Sequence, residues 1–377
     1  MKNILITGGA GFIGSNLSLK LITKGYKVTV LDILSKQIHG ENPNESTLYQ
    51  SIKDKVDFIK GDVSNRQDLE KALKNQDAII HLAAETGTGQ SMYEIEKYNN
   101  VNIMGTAIMW DIIANQNHSI KKVVVASSRA IYGEGKYLCK THGNVYPIAR
   151  KDQDMRNGDF NVKCPFCASN VELVATTEDS KIHPTSIYGF TKQAQEEMSL
   201  IAGKSLNIPV VAFRYQNVYG PGQSLSNPYT GILSIFSTRI KNGNEITVFE
   251  DGKESRDFVY IDDVVDATIL GLEKDEANFE SFNVGTGERI DVLTVAQTLK
   301  EKYGASVDVK ITGNFRLGDI RHNFADISKA QKLLGFLPKV NFKKGISNFV
   351  DWVNTQDIPK DNYQESIEEM KRKGLYK

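Results

Sequence analysis

The chain has 377 residues, with 46 lysines and arginines balanced by 46 aspartates and glutamates, and three cysteines. This balance gives no basic field of the kind that binds nucleic acid or an acidic membrane, and no apolar run reaches membrane-spanning length. An odd number of cysteines argues against a secreted disulfide framework, and a predicted strand at Ile4 leaves no room for a signal peptide. We therefore expect a cytoplasmic protein with neither nucleic acid nor membrane as a partner.

The first predicted elements are a buried strand at residues 4–6 and a helix, joined by a glycine-rich turn. The glycines fit either G-x-x-G-x-x-G, or G-x-G-x-x-G with Gly9 in first place. In both patterns one glycine permits the turn, one lets the backbone approach a diphosphate, and one lets helix and strand pack closely. N–H groups at the positive end of the helix would bind the diphosphate of a dinucleotide. The residues predicted to line it are Gly8, Gly11, Phe12, Ile13 and Gly14.

Asp32 ends the next predicted strand, residues 28–31. It follows the glycines by roughly 20 residues, the distance at which a carboxylate binds the adenosine ribose hydroxyls. Because a carboxylate repels a 2′-phosphate, the sequence predicts NAD rather than NADP. The alternative is a glycine-rich loop without a ligand.

Strand and helix patterns alternate as far as residue 214, which is typical of a parallel sheet with helices on both faces. Strands are predicted at residues 56–59, 78–82, 122–126 and 210–214, and helices at residues 67–74 and 99–115. Ligands of such sheets gather beyond the carboxyl ends of the strands. At those ends we predict cofactor contacts from Asp62, which would reach the adenine, and from Val63, Leu82, Ala83 and Ala84.

The predicted architecture is α/β, with two domains. Residues 1–215 form a Rossmann-type, doubly wound parallel sheet that binds NAD, interrupted by an insertion at residues 134–183. Residues 216–377 form a smaller mixed α/β domain that binds substrate, and some of its segments return to the first domain.

Two further features are predicted to be structural. His81 lies inside an apolar strand, so a buried histidine that supports the sheet is a better interpretation than a catalytic one. The tail beyond Pro359 is charged and polar, and we expect a surface helix or a frayed end.

The insertion holds all three cysteines, in the pairs Cys139-x-x-His142 and Cys164-Pro-Phe-Cys167, which 21 residues separate. Two tight pairs at this distance match the spacing of structural zinc sites. Three thiolates and one imidazole would close the coordination shell and leave no position open for catalysis. We predict a zinc-ribbon-like insertion that the metal helps to fold; the alternative is three unpaired cysteines in a surface loop.

After the insertion, Tyr188 and Lys192 stand four residues apart at the start of a predicted helix, so they share one face. The same Y-x-x-x-K spacing occurs at Tyr49 and at Tyr132, so spacing alone proves nothing. Only Tyr188 heads a helix that follows the strand ending in Ser128, and its position in the fold selects it.

This ordered set of motifs resembles the extended short-chain dehydrogenase/reductase family, and within it the nucleotide-sugar epimerases and dehydratases. The resemblance covers residues 1 to about 353 apart from the insertion, which is similar to one in a subgroup that includes dTDP-L-rhamnose 4-epimerases. It implies that Tyr188, as phenolate, removes a proton from a sugar hydroxyl while a hydride passes to NAD. Lys192 and the oxidised nicotinamide would lower the tyrosine pKa, and Ser128 would position the reacting oxygen.

The resemblance also implies a set of substrate contacts. Two arginines suit a diphosphate because the guanidinium offers a planar, bidentate fork, although either could instead form a surface salt bridge. The residues expected to contact the nucleotide sugar are Glu85, Thr86, Ser128, Arg129, Asn217, Arg256, Arg316 and Asp319.

Three functions remain open: an epimerase, a dehydratase or dehydrogenase/reductase, and a dinucleotide-binding sensor or scaffold. In 4,6-dehydratases, acidic residues directly follow the catalytic Ser or Thr, whereas here Arg129 and Ala130 do. Neither can exchange the protons that elimination requires, so we expect C4 epimerisation of a nucleotide hexose or 6-deoxyhexose. Glu85 is the residue that could replace the missing acids. The family further implies a homodimer, formed by helices at residues 99–115 and 188–202.

Overall fold

The computed structural model describes residues 1–229 and 231–377. Its strands are β1 (Asn3–Thr7), β2 (Lys27–Asp32), β3 (Asp57–Lys60), β4 (Ala78–His81), β5 (Lys122–Ser128), β6 (Tyr137–Cys139), β7 (Gly143–Val145), β8 (Glu172–Leu173), β9 (Val210–Tyr215), β10 (Asn217–Tyr219), β11 (Ile246–Val248), β12 (Ser255–Arg256), β13 (Phe258–Tyr260), β14 (Glu280–Val284), β15 (Ile290–Asp291), β16 (Val309–Ile311) and β17 (His322–Asn323).

The helices are α1 (Phe12–Thr23), α2 (Lys36–His39), α3 (Thr47–Ile52), α4 (Arg66–Leu73), α5 (Thr88–Ser91), α6 (Ile95–Tyr98), α7 (Gly105–Asn115), α8 (Asp152–Arg156), α9 (Ile187–Leu206), α10 (Ile232–Lys241), α11 (Ile261–Glu273), α12 (Val292–Tyr303), α13 (Ser328–Leu334), α14 (Phe342–Val353) and α15 (Tyr363–Arg372). A π-helical segment, Asn99–Met104, leads directly into α7. Because α6, this segment and α7 follow one another without a break, the helix predicted at residues 99–115 begins earlier, at Ile95, and contains a π-helical stretch.

A parallel sheet of seven strands lies at the centre of the described residues, in the order β14-β9-β5-β4-β1-β2-β3. Its strands alternate their side chains between two apolar layers. Ile4 and Ile6 of β1 pack with one layer, which includes α1 and α11, whereas Leu5 packs with the other, which includes α4 and α7. The predicted doubly wound Rossmann-type sheet is confirmed.

The second half of the chain contributes to this sheet and also builds smaller ones. β14 pairs with β9 at the edge of the central sheet, so a segment beyond residue 216 does return to the first half. The small sheets are β10-β13, β11-β16 and β15-β12-β17. The last of these joins the Arg256 segment to the chain that follows Arg316, at residues 322–323.

The insertion folds around a three-stranded antiparallel sheet, in the order β7-β6-β8. Its small apolar cluster contains Tyr137, Val145 and Val162, together with Cys139 and Cys164. A second cluster connects the insertion to the substrate half, because Met155 and Phe160 pack on Phe315.

In the C-terminal tail, where we expected a surface helix or a frayed end, the structure has a helix, α15. Tyr363, Ile367 and Met370 of α15 are 8%, 3% and 3% exposed, so a helical stripe of apolar residues is buried within a charged sequence. Residues 375–377 then pair with residues 315–317 as a short antiparallel ladder. The stripe is only three residues long, and the surrounding charges concealed it.

Among the residues that the structure describes, no helix is both long and apolar enough to cross a membrane.

Candidate active site

The glycine turn has the geometry that a dinucleotide requires. Gly8 has φ +68°, a left-handed conformation, and a Cβ there would lie 2.8 Å from the backbone of Ala83. A Cβ on Gly14 would lie 2.5 Å from the carbonyl oxygen of Gly8, so this glycine permits close packing of helix on strand. A Cβ on Gly11, which caps α1, would meet only that same oxygen, at 3.3 Å. The open side of the turn therefore lies at Gly11, where a diphosphate would approach the first N–H groups of the helix.

Asp32 lies at the end of β2, beside this turn. Its carboxylate accepts hydrogen bonds from the backbone N–H of Ala10, at 2.9 Å, and of Leu34, at 2.8 Å. Burial raises the pKa of Asp32, and the hydrogen bond from Leu34 and the nearby His39 oppose that rise. Two fixed hydrogen bonds hold the carboxylate in place and leave further lone pairs for ribose hydroxyls.

The other predicted cofactor contacts lie at the neighbouring strand ends. Leu82 and Ala83 bond to the carbonyl oxygen and the hydroxyl of Thr7, so residues 82–84 run alongside the glycine turn. The carboxylate of Asp62 accepts a hydrogen bond from the backbone N–H of Ser64, at 2.8 Å. These residues line the same sheet edge as Gly8, as their strand positions predicted.

His81 is 1% exposed, and the prediction of a buried, supporting histidine is confirmed. Its Nδ1 lies 2.7 Å from the hydroxyl of Thr7, and its Nε2 lies 2.9 Å from the hydroxyl of Thr106. Burial lowers its pKa to about 3, so the ring is neutral and links β1, β4 and α7.

Ser128, Tyr188 and Lys192 come together beyond the carboxyl end of β5. Ser186 caps α9 by accepting a hydrogen bond from the N–H of Gly189, at 3.1 Å, and so fixes where the helix begins. Tyr188 in its first turn and Lys192 one turn later share a face. The Nζ of Lys192 donates to the carbonyl oxygen of Ala126 at 2.8 Å, which anchors the helix to β5.

The electrostatics of this group differ from the expectation. Burial raises the pKa of Tyr188, while a hydrogen bond with Ser128 and the positive charge of Arg129 oppose that rise. Burial also lowers the pKa of Lys192 to about 7, so its ammonium is only partly populated at neutral pH. The cation that favours the phenolate here is therefore Arg129, which the sequence analysis had assigned to substrate alone.

Asn102 is a residue of the site that the sequence analysis missed. It is fully buried in the π-helical segment, and its side-chain amide donates to the hydroxyl of Thr191 on α9, at 2.9 Å. The same side chain exchanges hydrogen bonds with the backbone N–H and C=O of Glu85, at 2.8 and 3.1 Å. Because π-helical turns often mark functional sites, a polar residue on the buried face of this helix was the available signal.

Glu85 and Thr86 lie in the loop that Asn102 holds. The carboxylate of Glu85 lies 3.2 Å from the Nζ of Lys97 on α6. The carbonyl oxygen of Thr86 accepts a hydrogen bond from Tyr98, at 2.6 Å. Both contacts connect this loop to α6 and limit the ways in which Glu85 can turn.

Of the predicted substrate residues, Arg129 and Asn217 are in direct contact. The Nε of Arg129 donates to the side-chain oxygen of Asn217 at 3.1 Å. Burial and, to a smaller extent, the nearby charge of Arg256 lower the pKa of Arg129 to about 9. Two guanidinium groups therefore face the same part of the site, which favours an anion between them.

Arg256 and Arg316 are both held by other groups of the chain. Arg256 donates to the backbone carbonyl oxygens of Ser255, Ile320 and Arg321, at 2.8 to 3.0 Å. Arg316 contacts Asp319 through its Nε, at 2.8 Å, and through its Nη2, at 2.7 Å. It also lies over the ring of Phe249, 5.1 Å from the centroid. Arg316 thus holds one carboxylate oxygen of Asp319 between two of its N–H groups.

The four cysteine and histidine ligands predicted in the insertion are clustered. The ligand atoms of Cys139, His142, Cys164 and Cys167 all lie within 4.8 Å of one another. The Nδ1 of His142 is 3.5 Å from the Sγ of both Cys139 and Cys164. The Sγ atoms of Cys139 and Cys167 are 3.8 Å apart.

A glycine turn beside an acidic residue, with a serine, a tyrosine and a lysine at the same sheet edge, defines the short-chain dehydrogenase/reductase class. Within that class, the model of the NAD dependent epimerase/dehydratase family matches residues 4–150 and 166–285, which is well over half of the chain. The chain belongs to this family. The residues between the two matched ranges lie in the insertion.

Three relatives illustrate the similarity. The chain is 35% identical over 363 residues to a dTDP-L-rhamnose 4-epimerase of Burkholderia thailandensis, covering 96% of this chain and 97% of the relative. The structure of a UDP-glucose 4-epimerase from Thermotoga maritima with UDP-glucose has a TM-score of 0.76 at 30% identity, covering 93% of this chain and 98% of that one. A UDP-glucuronic acid 4-epimerase from Bacillus cereus, in complex with UDP-glucuronic acid and NAD, has a TM-score of 0.75 at 27% identity, covering 93% and 99%.

Proposed function

We propose that this protein is an NAD-dependent nucleotide-sugar 4-epimerase, acting on a nucleoside diphosphate hexose or 6-deoxyhexose through a transient 4-keto sugar. The observation that carries the proposal is the grouping of Ser128, Tyr188 and Lys192 at the sheet edge that also carries the glycine turn. The three relatives above, each described as a 4-epimerase, support the same reaction. Bound NAD would accept the C4 hydride and return it.

In this proposal Tyr188 exchanges the proton of the sugar C4 hydroxyl. Ser128 hydrogen-bonds the reacting oxygen, and its bond to Tyr188 holds the phenol towards that atom. Burial raises the pKa of Tyr188, the charge of Arg129 opposes that rise, and the positive nicotinamide of bound NAD would oppose it further. Lys192 holds α9 against β5 and would present its remaining donors to the cofactor ribose.

A dehydratase is the closest alternative, and the site lacks its proton-transfer groups. Elimination of water after oxidation needs an acid and a base beside C5 and C6. Arg129 and Ala130 occupy the positions that follow Ser128, and neither can exchange a proton there. Glu85 is paired with Lys97, which withdraws it from that role. Reduction of the 4-keto sugar after it rotates would leave epimerisation as the net reaction.

Incubation with UDP-glucose, UDP-glucuronic acid and dTDP-L-rhamnose, with chromatography and NMR of the products, tests this assignment. We expect a C4 epimer of unchanged mass, formed without added reductant and without net NADH. A product lighter by one water would identify a dehydratase, and stoichiometric NADH would identify a dehydrogenase. NAD binding with no conversion of any sugar would favour the sensor or scaffold.

The nucleotide diphosphate is proposed to bind between Arg129, Arg256 and Arg316, with Asn217 and Asp319 beside it. Arg316 is paired with Asp319, so a diphosphate would compete with a carboxylate for this guanidinium. Asp319 would then be free to accept a hydrogen bond from a hydroxyl of the nucleoside.

We further propose that the insertion binds one structural zinc ion through Cys139, His142, Cys164 and Cys167. Tetrahedral zinc, with bonds of about 2.3 Å to sulfur and about 2.0 Å to nitrogen, places two sulfurs about 3.8 Å apart and sulfur and nitrogen about 3.5 Å apart. The observed separations of 3.8 Å and 3.5 Å agree with these tetrahedral edges. With four protein ligands the ion would have no open position, so its role would be to stabilise the fold.

Elemental analysis of untagged protein, prepared under reducing conditions without chelator, tests the zinc site. We expect about one zinc per chain, and loss of the metal in Cys164→Ser. Metal-free wild-type protein that keeps a folded insertion would contradict it.

The dimer is likewise proposed, through α9 and the helix formed by the π-helical segment and α7. These two elements pack together, with the indole N–H of Trp110 donating to Ser199 at 2.9 Å. Their outer faces leave Met104, Phe190 and Ile201 exposed by 51%, 49% and 69%. A second copy packed on this face as a four-helix bundle would cover them.

Light scattering at micromolar concentration should give the mass of a dimer. Phe190→Glu with Ile201→Glu should reduce it to a monomer, whereas Leu337→Glu, at a residue that is 63% exposed elsewhere, should not. A monomeric wild type would refute this interface.

A further inference from the structure

The segment that carries Arg316 and Asp319 is held from several sides. It belongs to residues 312–321, which connect β16 to β17; residues 315–317 pair with the C-terminal residues 375–377, whereas residues 318–321 lie outside any strand. Met155 and Phe160 of the insertion pack on Phe315, and the hydroxyl of Thr185 donates to the carbonyl oxygen of Gly318 at 3.2 Å. Because residues 318–321 have no regular structure of their own, contacts from neighbouring side chains determine where they lie.

Arg150 is a charged residue of the insertion that reaches the backbone of Asp319. Its side chain is 4% exposed, and its Nη2 donates to the backbone carbonyl oxygen of Asp319 at 3.1 Å. The same guanidinium forms a fork with Glu250, at 2.8 Å for both pairs, and its Nε lies 3.3 Å from Glu134. Only an arginine has enough donors in one plane for this set of partners.

The partners of Arg150 also hold the far end of the segment. Arg321 contacts Glu250 through its Nη1 at 2.7 Å, and its backbone N–H donates to Glu134 at 2.9 Å. Glu250 itself has φ +47°, a left-handed conformation that a glutamate rarely adopts. Its backbone N–H and C=O are bonded to Asn314 and Gly313, and both of its carboxylate oxygens lie in buried ion pairs.

We propose that Arg150 is a positioning residue for the nucleotide sugar: it holds the backbone at Asp319, and thereby sets the orientation in which Arg316 meets the diphosphate. The inference rests on the proposed function and extends it, since it gives the insertion a part in substrate binding that its metal site does not supply. Arg150 contacts neither the glycine turn nor the Tyr188 group, so NAD binding and the chemical step should depend on it much less.

The test compares Arg150→Lys and Arg150→Met with Arg156→Met in the full-length protein. Arg156 lies in the same insertion, but it is exposed and pairs only with the neighbouring Asp152. Calorimetry with UDP and with dTDP gives the nucleotide affinity without turnover. Fluorescence titration gives the NAD affinity, and elemental analysis gives the zinc content.

We expect Arg150→Met to weaken nucleotide binding by about tenfold or more, with KM raised by a similar factor and kcat changed much less. Arg150→Lys should recover part of the loss, because an ammonium keeps the charge but not the fork. NAD affinity and zinc content should stay at wild-type values, and Arg156→Met should behave as wild type. If Arg150→Met fails to fold, the double variant Arg150→Met/Glu250→Gln is measured in its place, because it removes both charges of this ion pair.

Three outcomes overturn the inference, and they differ. If the wild type binds UDP or dTDP and the Arg150 variants bind it equally well, the positioning role is wrong while the proposed function stands. If the wild type binds neither nucleotide at millimolar concentration, the proposed function fails and the inference fails with it. Equal losses of nucleotide and NAD affinity would also overturn it, since that pattern indicates general destabilisation.

Discussion

Replacing Tyr188 with phenylalanine tests the proposed chemistry most directly, because only the phenol oxygen is removed. The ring stays on α9, so the packing of the helix is unchanged, and the fold loses only the hydrogen bond with Ser128. Loss of one such bond costs about 0.5–1.5 kcal/mol of the free energy of unfolding. General acid–base groups typically contribute about 10²- to 10⁴-fold to the rate, so kcat should fall by at least about 100-fold.

Tyr132 offers a matched control, since it begins another Y-x-x-x-K pair. Its hydroxyl donates to Asn283 at 2.9 Å and accepts from Arg214 at 2.7 Å, inside the fold. Tyr132→Phe leaves these buried partners without that hydroxyl, which should cost about 1–3 kcal/mol. The two variants should therefore show opposite effects. Tyr188→Phe should lose activity and keep its stability, whereas Tyr132→Phe should lose stability and keep most of its kcat.

Epimerisation followed by chromatography gives kcat, chemical denaturation gives the free energy of unfolding, and fluorescence titration gives the NAD affinity. The reasoning is refuted if Tyr188→Phe retains activity within about tenfold of wild type, below the range expected for a proton-transfer group. It is also refuted if the loss of activity only follows a loss of folded protein.

Four further substitutions have definite expected outcomes. Gly11→Ala should weaken NAD binding while stability stays nearly unchanged, since a Cβ there meets only one atom, at 3.3 Å. Gly14→Ala should lose both NAD binding and stability, because its Cβ would lie 2.5 Å from a backbone atom. Thermal unfolding with and without NAD distinguishes these two results. Arg129→Met should shift the rise of kcat to higher pH, since that charge favours the phenolate of Tyr188 and its removal raises the pKa; a pH profile that does not move would contradict this. Cys164→Ser should lose the metal and open the insertion to limited proteolysis, which mass spectrometry of the fragments would locate.

Local spacing accounts for what could be predicted from the sequence. The glycine turn, Asp32, Tyr188 and Lys192 depend on neighbours within one strand or helix turn, so their placement follows from periodicity. The two metal-binding pairs, Cys139 with His142 and Cys164 with Cys167, could be predicted for the same reason, because each pair lies within four residues of chain. Only the approach of one pair to the other depends on the fold.

The parts that sequence could not supply depend on distant contacts. Arg150 meets Glu250, 100 residues away, and Asp319, 169 residues away. Asn102 acts through Thr191, 89 residues away, from a π-helical segment that the sequence pattern does not indicate. The periodicity of the sequence does not indicate contacts between such distant residues. The sequence also does not distinguish a buried arginine from an arginine at the surface.

The strand order of the central sheet has a consequence for synthesis. β9 pairs on one side with β5, but its other partner, β14, follows about 70 residues later in the chain. At about 5–20 residues per second, β9 would wait roughly 3–14 s for that partner on the ribosome. During this time an edge of unpaired N–H and C=O groups is open, on a strand whose residues Val210–Tyr215 are all buried in the finished protein. We expect nascent chains that pause between the two strands to be the species that chaperones bind and that aggregates when chaperones are scarce.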